Sequence, residues 1–181
     1  MVRSDARENR ARILAAARQA FAEDDDTSMN RIAQLAGVGP GTLYRNYPSR
    51  EVLILEIYQE EIERLIGTVD ELLATATPVE ALRRWTLDLV DGMRTKHSLG
   101  AALSPDAHQS MAEKSYGPVI AAITRLLDAG KAAGVIRADA EPVDFLQLTG
   151  ALWRAAPDRS EPMLALILDG LGKNGDVSVS R

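Results

Sequence analysis

The chain has 181 residues, a mass of 19.6 kDa and a formal net charge of −5, with 46% hydrophobic and 26% charged residues. This size and composition are typical of one globular protein and exclude both extensive disorder and a large multidomain enzyme. The sequence contains no cysteine, which excludes disulfides, thiolate metal sites and cysteine nucleophiles.

The first helix is predicted from about Asp5 to Ala22. Its start is indicated by the capping-box spacing of Asp5 and Glu8, after which apolar residues recur on one face. The aspartates at positions 24–26 end the helix, because carboxylates at a helix C-terminus oppose the helix dipole. An all-helical protein is expected, since 27 alanines and 22 leucines favour helices and aromatic residues make up only 4%.

Two short helices follow. The first is expected over residues 29–36, capped at its start by Thr27 or Ser28 and ended by Gly37. Pro40 fits the first turn of the second, which ends at the next proline. Two short helices joined by a tight glycine-containing turn form a helix-turn-helix, in which the second helix lies in the major groove of DNA.

The remaining chain predicts further helices. A long helix is expected from Ser49 to about Ala76, because its apolar residues step by four and three along one stripe. Between His97 and Glu113 we expect a loop and a short helix, separated by Pro105. Prolines and capping residues indicate the other helices, which are expected at about residues 77–96, 116–134, 143–156 and 162–171, the last capped by Ser160.

The last two predicted helices are apolar on more than one face. One face can pack on the core of the same chain, so a second apolar face needs a second partner. Patterning favours another copy of the chain over a central position wrapped by neighbouring helices. The residues assigned to this dimer interface are Leu148, Leu152, Met163, Leu164, Ile167, Leu168 and Leu171.

Charge is unevenly distributed along the chain. Residues 1–50 carry a net charge of +2 and residues 51–181 a net charge of −7. Five arginines face only two acidic residues in the first 22 positions. A small basic end on an acidic body is consistent with contact to a polyanion, and a solvated helix face explains the same pattern equally well.

The residue types of the predicted third helix suit a DNA reader. Arg45 can bind a guanine edge and Asn46 an adenine edge, while the hydroxyls of Thr42 and Tyr44 can reach phosphate oxygens. The glycines at positions 39 and 41 leave room for the backbone to approach DNA closely. The amides at a helix N-terminus favour phosphate.

A long run of typed positions spans these two helices and the residues after them. It reads Ile32-Ala33-x-x-Ala36-Gly37-Val38-Gly39-x-Gly41-Thr42-Leu43-Tyr44-x-x-Tyr47, followed by Ser49-Arg50-Glu51-x-Leu53. Together with the preceding amphipathic helix, this run resembles the TetR family of bacterial transcriptional regulators over roughly the first 55 residues. Three features depart from the family: the aspartates at 24–26 replace a common glycine-centred turn, Arg50 stands where lysine is usual, and Pro48 varies the turn.

The resemblance implies an all-α homodimer of about nine helices, with an N-terminal three-helix DNA-binding domain and a C-terminal helical domain for ligand binding and dimerisation. It also implies a repressor that a small-molecule effector releases from a palindromic double-stranded DNA operator. Carried over position by position, the DNA contacts fall on Ser28, Asn30, Pro40, Gly41, Thr42, Tyr44, Arg45, Asn46 and Arg50. Packing between the helices is assigned to Ile32, Ala33, Leu35, Val38 and Leu43.

Large side chains on the C-terminal helices are candidates for an effector pocket, and an apolar or aromatic effector is favoured. Residues of this kind at helical spacing also form ordinary cores, so the core interpretation stays open. The candidates are Trp85, Leu89, Met93, His97, Met111, Ile120, Phe145, Thr149 and Trp153.

The sequence lacks the signatures of an enzyme. No strand precedes the glycines at 37, 39 and 41 and no Lys-Ser or Lys-Thr follows them, so they do not form a nucleotide loop. His97 and His108 are the only histidines, and an isolated histidine is a surface or core residue more often than a metal ligand. We therefore expect no cofactor, no metal and no catalytic residue. A helical ligand-binding or protein-interaction module without DNA readout is the alternative function.

The expected organisation is a DNA-binding domain at residues 1–48, an effector-binding and dimerisation domain at 49–172 and a flexible tail at 173–181. No apolar run reaches 18 residues, and the N-terminus lacks the apolar segment of a signal peptide. A cytoplasmic protein without membrane contact is therefore expected.

Overall fold

Helices account for nearly all of the regular structure. The computed structural model describes residues 2–24, 26–100 and 103–172, which form nine α-helices, one 3-10 turn and one isolated antiparallel bridge between Ile136 and Gly172. The expected all-helical fold is confirmed. The helices are α1 (Val2–Glu23), α2 (Met29–Ala36), α3 (Pro40–Asn46), α4 (Arg50–Gly67), α5 (Val69–Thr75), α6 (Pro78–Gly100), α7 (Pro105–Ala132), α8 (Pro142–Thr149) and α9 (Pro157–Leu171), with the 3-10 turn at Leu152–Arg154.

The described residues divide into two compact units. The N-terminal unit contains those within 1–60 and 96–112, and the C-terminal unit contains those within 61–95 and 113–181. Helices α4, α6 and α7 therefore contribute residues to both units. The predicted tail at 173–181 lies outside the described residues.

The core of the N-terminal unit is formed by residues from helices α1, α2, α3 and α4 and from the segment around the start of α7. The buried face of α2 is formed by Met29, Ile32, Ala33 and Ala36, which recur at the helical spacing of three and four. Leu35 falls outside this stripe and is 41% exposed, so its assignment to interhelical packing is wrong. The rest of the core includes Ile13, Leu14, Ala17, Phe21, Leu43, Tyr47, Leu53, Ile54, Ile57, Leu103, Ala107 and Met111.

Helix α1 is longer than its capping signal predicted. It begins at Val2, so Asp5 lies inside the helix and does not cap it. No glycine or proline lies between Val2 and Asp5, so nothing prevents the helix from extending past a residue that could cap it. The end at Glu23 agrees with the prediction to within one residue, and Asp24 accepts the amide of Asp26 at 3.0 Å in the following turn.

The long helix predicted from Ser49 to Ala76 is interrupted. Ser49 caps it as expected, accepting the amide of Val52 at 3.2 Å, but α4 ends at Gly67 and α5 starts at Val69. The hydroxyl and the amide of Thr68 both donate to the Leu65 carbonyl, at 2.8 and 3.3 Å, which tightens the turn. The apolar stripe did not reveal this break, because the apolar spacing continues across it: Leu65 before the break and Val69 after it are both buried.

Helix α7 is the clearest correction in the middle of the chain. The prediction divided this region into a short helix near Pro105 and another from Tyr116, whereas α7 runs through Pro118 without a break, and α6 extends to Gly100. An internal proline costs about 3 kcal/mol, and burying one large aliphatic side chain returns about 1.5–3 kcal/mol. Buried Met111 and Val119 lie on either side of Pro118, so packing outweighs the lost hydrogen bond.

The last two helices also differ from their predicted bounds. Helix α8 ends at Thr149 and does not reach Ala156, because the following carbonyls bind a side chain from α6: Arg94 donates to the carbonyls of Leu152, Trp153 and Ala155 at 3.2–3.4 Å. Helix α9 starts at Pro157, five residues before the prediction. Ser160 is therefore no cap; it is buried inside α9 and accepts a hydrogen bond from Arg94 at 2.5 Å.

Candidate DNA-binding site

The turn between α2 and α3 is fixed by backbone chemistry. Ser28 caps α2 by accepting the amide of Arg31 at 3.3 Å, which settles the choice left open between Thr27 and Ser28. Gly37 ends α2 with φ = 65°, in the left-handed region that favours glycine. The Val38 amide then returns to the Ala33 carbonyl at 3.0 Å, which closes the helix end before α3 begins.

Helix α3 is anchored by its inner face. Pro40 occupies the first helical position, where its missing N–H breaks no hydrogen bond. Leu43 is completely buried, and Tyr47 directly after the helix is 3% exposed and donates its amide to the Leu43 carbonyl at 2.8 Å. Burial and the neighbouring Glu60 raise the pKa of the Tyr47 hydroxyl, while Arg10 and Arg18 act in the opposite direction. The two buried side chains of Leu43 and Tyr47 thus set the orientation of the whole helix.

The outer face of α3 carries the residues predicted to read DNA. Tyr44 is 44% exposed, Arg45 and Asn46 are exposed, and Thr42 is half-buried. Gly41 is also exposed, and a Cβ atom added to it would meet no other atom within 4 Å. The structure therefore brings these residues together on one accessible surface, with room for a close approach to the backbone.

Arg45 and Asn46 make hydrogen bonds to their own helix. Arg45 donates from Nε to the Gly41 carbonyl at 3.1 Å and from Nη2 to Thr42 Oγ1 at 3.2 Å. Asn46 donates from Nδ2 to the Thr42 carbonyl at 2.8 Å. These bonds hold the two side chains against α3, and contact with a base edge requires exchanging them. Each such bond has a net worth of about 0.5–1.5 kcal/mol, so the exchange is feasible.

The remaining predicted DNA contacts have different environments. Ser28, Asn30 and Pro40 are exposed, although the Ser28 hydroxyl is already the cap of α2. Arg50 is half-buried: its guanidinium carbon lies 4.4 Å from the centroid of the Phe21 ring, and Nη1 donates to the Thr27 carbonyl. Arg50 thus contacts two other segments of the unit, whereas, among the described residues, the hydrogen bonds of Arg45 and Asn46 lie within α3.

Two arginines of the basic N-terminal segment form ion pairs with α4. Arg10 pairs with Glu56, and Arg18 pairs with Glu60 at 2.5 Å. Counting charges in the first 22 residues did not reveal these ion pairs, because the acidic partners lie more than 40 positions further along the chain. Each of these two arginines therefore has an acidic partner on α4, which offsets its positive charge, although the Arg10 side chain is 55% exposed.

The predicted effector residues fall into both units. Met111 is buried in the core of the N-terminal unit, which also contains position 97, whereas the other candidates belong to the C-terminal unit. The side chain of His97 lies outside the part that the structure describes. Trp85 is fully buried and donates from Nε1 to the Leu65 carbonyl at 3.0 Å. Of the remaining candidates, the buried ones are Leu89, Phe145 and Thr149, and the half-buried ones are Met93, Ile120 and Trp153.

The predicted dimer residues differ in accessibility. Leu152 and Leu164 are completely buried with Val90 in a core of the C-terminal unit. Leu148 is 56% exposed, and Leu166, which the interface prediction did not include, is 73% exposed. The half-buried members are Met163, Ile167, Leu168 and Leu171. Helices α8 and α9 thus have one face in the core and a second apolar face towards solvent.

Neither a metal site nor a membrane span is found within the described ranges. There, no group of three or more histidine and acidic side chains is arranged to hold a metal ion. The described helices include none with the length and hydropathy needed to cross a bilayer.

Comparison with known protein families gives two matches. Residues 13–57 match the family described as "Bacterial regulatory proteins, tetR family". Residues 77–173, more than half of the chain, match the family described as "Transcriptional regulator SbtR-like, C-terminal domain".

Individual proteins give the same result. The HTH-type transcriptional regulator SAUSA300_2515 of Staphylococcus aureus is 40% identical over 67 residues, which are 36% of this chain and 36% of that relative. The crystal structure of the TetR transcriptional regulator SCO0520 from Streptomyces coelicolor is 39% identical, covers 90% of this chain and 98% of its own, and has a TM-score of 0.75. FadR from Thermus thermophilus, described as a TetR family transcriptional repressor in complex with lauroyl-CoA, is 25% identical with a TM-score of 0.59, covering 90% of this chain and 92% of its own.

Proposed function

Because this chain belongs to the TetR family of bacterial transcriptional regulators, we propose that it is a homodimeric repressor that reads a palindromic operator and is released from it by a small molecule. The observation that carries the proposal is the division of α3 into a buried face that fixes its orientation and an outer face of accessible polar groups. A helix built in this way can enter a major groove without unfolding the unit.

The roles of the α3 residues follow from their chemistry. Arg45 and Asn46 read base edges, because a guanidinium matches guanine and an amide matches adenine. The exposed hydroxyl of Tyr44 contacts phosphate, and Thr42 assists it. The backbone of Pro40 and Gly41 at the start of the helix approaches the sugar-phosphate chain, while Ser28 and Asn30 contact it from the start of α2.

Dimerisation makes the readout long enough to be specific. Two readers related by a twofold axis bind successive major grooves about 34–36 Å apart, so the operator repeats the symmetry of the protein. The exposed apolar face of α8 and α9, with Leu148 and Leu166 at its most accessible points, supplies the surface for the second copy.

Effector binding is assigned to the C-terminal unit. The ligand named for the Thermus thermophilus relative is lauroyl-CoA, and an apolar or aromatic compound suits the apolar candidates around Trp85, Phe145 and Trp153. A compound that binds better to a dimer whose readers have another spacing shifts the population away from DNA. The shift is limited by the difference in its affinity for the two states, typically about 1–3 kcal/mol.

Selection of bound duplexes from a random pool tests this function. The dimer is expected to enrich an inverted repeat with half-sites one helical turn apart, and affinity should fall steeply with salt because phosphate contacts release counterions. Candidate effectors are then titrated against the enriched duplex. Failure to enrich any duplex would favour the alternative function, a ligand-binding or protein-interaction module. If no compound that binds the protein releases it from the duplex, the proposed control by an effector is wrong.

A further inference from the structure

Arg50 joins three segments of the N-terminal unit. It is the first residue of α4, and its guanidinium carbon lies 4.4 Å from the ring centroid of Phe21 near the end of α1. Its Nη1 donates to the backbone carbonyl of Thr27, in the loop before α2, at 2.5 Å. A single side chain therefore connects the start of α4 to the end of α1 and to the loop that leads into α2.

The loop bound by Arg50 controls how α2 begins. Thr27 directly precedes Ser28, the residue that caps α2. Thr27 is also tied to the preceding segment, because its amide donates to the Asp24 carbonyl at 3.1 Å and its hydroxyl donates to the Ala20 carbonyl at 3.3 Å. The guanidinium adds a charge-assisted bond on the carbonyl side of the same residue, which fixes the direction in which the chain enters α2.

The two contacts of Arg50, stacking on Phe21 and a hydrogen bond to the Thr27 carbonyl, require the geometry of an arginine side chain. A planar guanidinium can lie over a ring while donating in its own plane, which a lysine ammonium cannot reproduce. Arg45, by contrast, is exposed on the outer face of α3. We propose that Arg50 is a positioning residue: it locks the loop before α2, and so the helix-turn-helix, and does not neutralise a phosphate. This inference rests on the proposed DNA-binding function.

Three variants separate positioning from phosphate contact. Arg50→Met removes both contacts and the charge, whereas Phe21→Leu removes the ring and leaves the charge in place. Ile57→Val is the matched control, since Ile57 lies buried in the same core on α4. The probe is the duplex that the wild-type chain selects from a random pool, and affinity is measured over a range of salt concentrations.

Positioning predicts that Arg50→Met and Phe21→Leu each weaken binding about five- to tenfold, with the slope of log affinity against log salt unchanged. Ile57→Val should bind like the wild type. A phosphate contact predicts instead that Arg50→Met lowers the slope by about 0.9 per protomer and that Phe21→Leu behaves like the control. That second pattern would overturn the proposal.

Hydrogen exchange of the DNA-free protein gives an independent reading. The amides of Thr27 and Arg31, which bond to Asp24 and Ser28, should exchange faster in Arg50→Met and Phe21→Leu but not in Ile57→Val. Unchanged exchange in the first two variants would refute positioning. Because this measurement needs no DNA, it tests whether Arg50 locks the loop before α2 even if the wild-type chain selects no duplex and the proposed function fails.

Discussion

Leu43 and Tyr44 are adjacent in the chain but have opposite environments in α3. Leu43 is completely buried, whereas Tyr44 is 44% exposed. Replacing Leu43 by alanine removes a buried apolar side chain and is expected to lower the free energy of unfolding by about 2–5 kcal/mol. Replacing the exposed Tyr44 by alanine should change the free energy of unfolding by only about 0.5 kcal/mol. Stability and DNA affinity can therefore be altered separately within one helix.

Arg45→Ala should weaken binding to the selected duplex by about 1–3 kcal/mol and relax the base preference at one position of each half-site. Within the described residues, the hydrogen bonds of the exposed Arg45 side chain go to Gly41 and Thr42 of its own helix, so the melting temperature should stay close to that of the wild type. Fluorescence anisotropy with duplexes altered at each position measures both effects. Arg159→Ala, which removes an exposed arginine of the C-terminal unit, is the control and should bind normally.

Gly41→Ala tests the close approach of the α3 backbone to DNA. The new methyl group meets no protein atom within 4 Å, and alanine favours a helix over glycine by about 1 kcal/mol, so unfolding should become harder. Operator affinity should nevertheless fall, because the methyl group enters the space between backbone and DNA. Gly67→Ala on α4 is equally uncrowded and should leave affinity unchanged. Equal affinities for both variants would remove the proposed close approach.

At the scale of whole elements, close packing at one glycine fixes the end of α7. A Cβ atom added to Gly130 would lie 2.7 Å from Cγ1 of Ile136, which is itself buried. The Ile136 amide donates to the Gly130 carbonyl at 3.2 Å, and Gly134 makes the turn between them with φ = 71°. The segment after α7 is therefore folded back onto the helix at this point.

Gly130→Ala should lower the free energy of unfolding by about 1–3 kcal/mol, because the Ile136 side chain must move. Gly117→Ala in the same helix meets no neighbour within 4 Å and should be neutral or stabilising. Urea unfolding of both variants measures the difference. A Gly130 variant as stable as the Gly117 variant would show that the segment after α7 can shift without cost.

The first turn of α6 provides a pH-dependent contribution to stability. Thr77 caps α6 by accepting the Glu80 amide at 3.4 Å, and the Glu80 carboxylate accepts hydrogen bonds from Arg83 and Arg84 at 2.6–2.8 Å. These arginines lower the pKa of Glu80 from 4.5 to about 2. A lowered folded-state pKa stabilises the fold above pH 4.5, and this stabilisation is lost as the pH falls towards about 2.

Glu80→Gln should therefore reduce the loss of stability between pH 4.5 and about pH 2, the window set by this pKa shift. At neutral pH the variant should be less stable than the wild type, since the two charge-assisted bonds are weakened. Thermal unfolding at several pH values measures both differences. Parallel curves for the two proteins across this range would contradict the assignment.

At the scale of the whole molecule, α8 and α9 expose Leu148 and Leu166 to solvent, and this is the apolar surface proposed for the second copy. If the proposed dimer forms through this face, Leu148→Asp combined with Leu166→Asp should convert it to monomers, because two carboxylates would be buried against apolar residues. Sedimentation velocity measures the change, and operator affinity should fall with it. Val135→Asp places the same charge on an exposed valine outside α8 and α9 and should leave the dimer intact.

The local signals of the helix-turn-helix were strong enough to predict it from sequence. Met29–Ala36 was predicted to the residue, and α3 begins at Pro40 as expected, because the caps, Gly37 and Pro40 act within one helical turn. The interruption at Thr68 and the continuous α7 were not predicted. Apolar periodicity does not show a short break in a helix, and it does not show that packing offsets the cost of an internal proline. The specific residues proposed for the effector and dimer surfaces stay predictions.

The sequence by itself determined the all-helical class, the bounds of the reader helices and the family, because these depend on short-range propensities, capping and typed positions close together in the chain. Only the tertiary structure decided which polar groups are accessible. Arg18 pairs with Glu60, Arg94 binds the carbonyls after α8, and Arg50 stacks on Phe21. These contacts join residues 29 to 61 positions apart, and only packing places them at bonding distance, so no local pattern encodes them.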